Sequence, residues 1–161
     1  MLKKTCMIMI LLSLFGIQAY SQAQQKKVLS KSDVDNYVKN YEKIQEIMEE
    51  YSEEIESFVD PSEEDSFKSA IKLRNASVSR NLQNELSKLG LGNNGFEKVI
   101  VLMFGTSVMF IEQMMPPEAA GDAMQNEMMA EIKAIKSAIN SEDYNLIKTN
   151  SENLMELMNF F

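Results

Sequence analysis

The chain reads as an all-α protein, a compact bundle of about five helices around a central, apolar third helix. Three observations carry that reading. Apolar residues recur at steps of three and four from residue 34 onward, no stretch alternates apolar with polar residues as a half-buried strand does, and the periodic stretches are separated by helix-start and helix-stop residues. The spacing predicts helices over residues 32–59, 61–89, 95–115, 117–140 and 142–160, within one domain spanning 32–161.

Residues 1–23 have the three zones of a cleavable signal peptide: Lys3 and Lys4, an apolar run from Met7 to Ile17, and a polar end from Gln18 to Ala23. Ser21 and Ala23 place the cut before Gln24; Ala19 and Ser21 would place it before Gln22. The apolar run covers 11 residues. A helix needs about 20 to span a bilayer, so an uncleaved anchor is the weaker alternative. Cys6 stands too early to be the lipidated cysteine of a bacterial lipoprotein. The expectation is therefore a protein exported to the periplasm or beyond without a lipid anchor. Residues 24–31 are polar, basic and aperiodic, which predicts a flexible leader.

Helix 32–59 opens on Ser32 as N-cap, with Asp33 and Asp35 in its first turn and an apolar face from Val34 to Val59. Asp60-Pro61-Ser62-Glu63 ends it and starts the next, because proline at a first helical position loses no hydrogen bond. Phe67, Ala70, Ile71, Val78, Leu82, Leu86 and Leu89 keep helical spacing to Gly90, with Asn75–Ser79 a weak stretch where a bend is expected. Gly92-Asn93-Asn94-Gly95 is a loop. Val99–Ile111 then carries only Gly105, Thr106 and Ser107 as non-apolar residues, the mark of a helix buried on all sides. Pro116-Pro117 breaks the chain. Ala120, Met124, Met128, Ile132, Ile135 and Ile139 form the stripe of the fourth helix, and Ser141 caps a fifth that carries Tyr144, Ile147, Leu154 and Leu157.

Composition removes several function classes. Cleavage at residue 23 leaves no cysteine, and the chain has no histidine. Disulfides, thiol nucleophiles, histidine general bases and ordinary zinc sites go with them. No phosphate loop, nucleophile elbow, dinucleotide fingerprint or EF-hand loop is present. Losing Lys3 and Lys4 moves the formal charge from −8 to −10, a sign that opposes nucleic acid and anionic membrane surfaces as partners. No cofactor is expected, and a non-enzymatic binding role leads over catalysis.

Three features remain as candidates. Methionines crowd the second half, and Met114, Met115, Met124, Met128 and Met129 gather around the break between the third and fourth helices. Thioethers pack well in irregular cores, make adaptable partner surfaces and, as soft ligands, take Cu(I); Met124 and Met128, one turn apart, are the candidate copper pair. The second feature is an acidic turn with Glu50, Glu53, Glu54, Asp60, Glu63 and Glu64, read either as a solvated face or as a patch for a basic partner or a loosely held divalent cation. The third is Gly105-Thr106-Ser107, where glycine inside an apolar helix implies close approach of a neighbour or, alternatively, the wall of an apolar cavity. The leading expectation is a protein that binds another protein or peptide, possessing chaperone-like adaptability, through the methionine end or the acidic turn. A carrier of a small apolar ligand or Cu(I) comes second.

Overall fold

In a computed structural model of the protein, which describes residues 25–60, 62–63, 66–114 and 123–158, with backbone alone at 66, 114, 123–128 and 158, the first predicted helix is three. These are α1 (Lys31–Lys39), α2 (Tyr41–Glu50) and α3 (Ser52–Glu56). The cap of α1 is Ser30 rather than Ser32: its hydroxyl accepts from Asp33 N–H while the Asp33 carboxylate accepts from Ser30 N–H, a complete capping box. At Asn40 the path bends (φ −112°, ψ 18°), because its side-chain amide donates back to the Asn36 carbonyl at 2.9 Å, in competition with the helical ladder. A second bend falls at Tyr51 (φ −99°, ψ 17°), with no side-chain cap.

The second predicted helix is also interrupted. It yields α4 (Ser66–Arg74) and α5 (Arg80–Leu86), with residues 76–79 extended between them and Ser79 capping α5 through Leu82 N–H. A π turn, Ser87–Leu91, follows α5 and ends in Gly90 at φ +86°, a conformation open to glycine and rarely to other residues. Its last carbonyls are taken by side chains from elsewhere: Asn40 donates to Leu89 O, Asn36 to Gly90 O and Lys98 to Leu91 O. This satisfies the orphan acceptors that every helix end leaves.

α6 (Gly95–Met114) is the central element, with Phe96, Val99, Ile100, Val101, Leu102, Phe104, Val108 and Met109 all buried. It is enclosed by α1, α4, α5 and three further helices: α7 (Ala123–Ser137), α8 (Ser141–Thr149) and α9 (Ser151–Met158). Asn140, not Ser141, caps α8, accepting from Glu142 N–H at 2.8 Å. Asn150 repeats the device of Asn40, donating to Leu146 O at 2.8 Å where α8 gives way to α9 (φ −109°, ψ 20°). Gly105 has the close neighbour its sequence context implies, since a Cβ there would overlap the Ile147 side chain of α8.

The fold is thus all-α around one contiguous core, as expected, but the count of five is corrected to nine α-helices among the described residues. Asparagine amides and the extended 76–79 stretch divide what periodicity alone joins. Among the described residues no single helix is long and apolar enough to cross a membrane. The predicted signal peptide lies outside the described residues.

Candidate functional site

The methionine end lies where α6 stops and α7 starts. Met114 is the last residue of α6; Met124 and Met128 belong to α7; Met115 lies outside the described residues, as do the side chains of Met114, Met124 and Met128. Ile132 and Ile139, on the same stripe as positions 124 and 128, are core, at 3 % and 6 % exposure. Met129 falls off that stripe by about 100° of helical rotation. It is 44 % exposed, the large apolar side chain most open to solvent among those described.

Two turns beyond, a polar knot ties three helices together. Glu112 of α6 accepts from Lys136 of α7 at 2.7 Å and from the Tyr144 hydroxyl of α8 at 2.6 Å, and the Lys136 ammonium lies 4.3 Å from the centre of the Tyr144 ring. Burial alone would raise the Glu112 carboxyl, but Lys136 and Tyr144 hold it below its ordinary value. Burial, and then the Glu112 charge, push Tyr144 up, so the phenol stays a neutral donor.

The acidic turn does not converge on one point. Glu50 and Glu53 are exposed, Glu54 accepts from Ser79 N–H at the start of α5, and Asp60 turns onto the hydroxyl and N–H of Ser62, which lower its pKa. Glu63 is half-buried and Glu64 lies outside the described residues. Among the described residues no three His, Cys, Asp or Glu side chains are placed to hold a metal ion.

The constellation that sequence reasoning missed involves none of the predicted site residues. Residues 25–30, read as leader, form a strap without regular secondary structure that meets Arg74 and the stretch 140–143. Asp143, fully buried, accepts from Val28 N–H and Leu29 N–H, both at 2.9 Å. Arg74, 2 % exposed, donates to Lys26 O at 2.7 Å, Ala138 O at 2.8 Å and the Gln25 side chain at 3.3 Å, and pairs with Glu97 at 3.0 Å. Asn140 donates to Gln25 O, and Lys27 pairs with Glu142 outside. Burial raises the Asp143 carboxyl, against the two N–H groups and the Arg74 charge that lower it. Beside the strap, Lys98 bridges to the buried Asp33 at 2.7 Å; burial would raise Asp33, but Lys98 and Ser30 hold it low.

One signal could have found these groups. Arg74 sits at a core step of the stripe Phe67, Ala70, Ile71, and Asp143 at a core step of the line Ile147, Asn150, Leu154; a charge at a core position has to find a buried partner. Chemically the clasp is saturated, each ionised group being engaged by backbone or by an opposite charge. No protein-family model matches the chain, and no curated protein or solved structure matches it.

Proposed function

We propose that the chain is exported and acts outside the cytoplasm by binding another protein or peptide, without catalysis, through the methionine-bearing end of α6 and α7. The observation that carries this reading is Met129, 44 % exposed beside a stripe whose members Ile132 and Ile139 are core. A thioether in that position gives up hydration cheaply and adapts to differently shaped apolar partners. The acidic surface, with a formal charge of −10 after cleavage, adds solubility and favours partners carrying basic groups. The ionisable groups that are buried are engaged in holding the fold, which also favours binding over chemistry.

A photo-crosslinking residue at position 129, introduced in exporting cells, is expected to give a discrete adduct. The same residue at exposed Lys148 should not give it. An identical adduct pattern from positions 129 and 148, or none from 129, overturns the assignment of the surface.

A further inference from the structure

The buried groups of the clasp engage mainly the main chain of the strap. Within five consecutive residues, the carbonyls of Gln25 and Lys26 and the N–H groups of Val28 and Leu29 are taken by Asn140, Arg74 and Asp143. Among strap side chains only Leu29 is fully covered, at 2 %, while Lys26 and Lys27 face solvent. An empty clasp would leave a buried carboxylate and a buried guanidinium without these partners, and an orphaned buried polar group costs more than its hydrogen bond returns when made. The site therefore demands a peptide that offers two successive N–H groups to Asp143 and an apolar residue at the position of Leu29.

The segment that meets this demand is present in every copy of the chain. It joins the folded body at Ser30, whose backbone is already extended (φ −115°, ψ 165°), so swinging it away breaks no helix. Exchange of an identical element between two copies remakes every contact of the closed form, which leaves concentration to decide between them. We propose that the clasp is a peptide site that the chain fills with its own residues 25–29 and that the same segment of a second copy fills at high concentration, giving a reciprocal, strap-exchanged dimer.

Two measurements on the full chain carrying Cys6→Ser test this. In the first, Leu29→Ala loosens the strap, and a fluorescent peptide of residues 24–32 is titrated in. Saturable binding is expected, weakened about tenfold or more by adding Asp143→Ala, as the loss of a charge-assisted bond requires. A folded Leu29→Ala chain that binds no peptide, or binding indifferent to Asp143→Ala, overturns the site. In the second, chains with Lys27→Cys are mixed at high concentration with chains carrying Glu142→Cys, positions whose natural side chains meet at 2.9 Å. A disulfide-linked heterodimer is expected, well above that formed with Glu156→Cys, an exposed control. Equal yields from positions 142 and 156 overturn the second copy as occupant, whether or not the peptide binds. Should Leu29→Ala fail to fold, the mixing experiment decides alone.

Discussion

At the clasp, charged side chains are buried and every one has a fixed partner; at the methionine end, an apolar side chain stands in solvent with none. The first arrangement is directional. Arg74 and Asp143 accept one backbone geometry and penalise departures from it, because removing either partner strands the other in a medium of low dielectric. The second is permissive, since a thioether on a flexible stem packs against many shapes at similar energy. One region specifies the fold, and the other is free to serve a changing partner.

The comparison breaks first at Arg74. Arg74→Met keeps volume but strands Glu97 and the carbonyls of Lys26 and Ala138, and should cost about 3–5 kcal/mol, read as a lowered urea midpoint. Between the two regions, Gly105→Ala should cost about 1–3 kcal/mol through overlap with Ile147 despite alanine's better helix propensity. Ile147→Val, which removes the overlapping Cδ1, should recover part of that loss in the double variant.

Titration sharpens the contrast by its sign. Asp143 has its folded pKa raised, so its ionisation opposes folding; stability from this group grows as pH falls through the raised value toward the ordinary 3.8. Asp33 has its folded pKa lowered, so its contribution is full above 3.8 and is lost as pH falls further through the folded value. Thermal unfolding followed against pH should therefore contain a rise on acidification from Asp143, set against a fall from Asp33 and from Glu112, whose folded value is also lowered. Asp143→Asn should remove the rise, and Asp33→Asn should flatten the fall. The smallest effect is expected at Met129, where Met129→Glu should leave stability within about 0.5 kcal/mol, as surface changes away from special contacts do.

Periodicity made the all-α class and the central place of α6 legible, because an all-round apolar helix has nowhere else to go. The stop at Gly90 and the contact at Gly105 were legible for a similar reason: glycine inside a periodic run has a local steric cause. The bends at Asn40 and Asn150 were not, since a side-chain amide reaching the carbonyl four residues back leaves the apolar spacing intact. The clasp was hidden by distance along the chain. Nothing local to Val28 or Leu29 announces that their N–H groups need Asp143. Of the predicted site residues, the acidic ones resolve into separate local roles, and the methionine surface is represented by Met129.

The strap also sets an order of events. Val28 and Asp143 are 115 residues apart, so the strap finds its partner only when α8 has been made and capped by Asn140. Closing so long a loop is entropically unfavourable until the intervening helices have shortened it, which makes strap docking a late step in folding. The strap is thereby kept available until the body is complete, and its locking reports that the last third has folded.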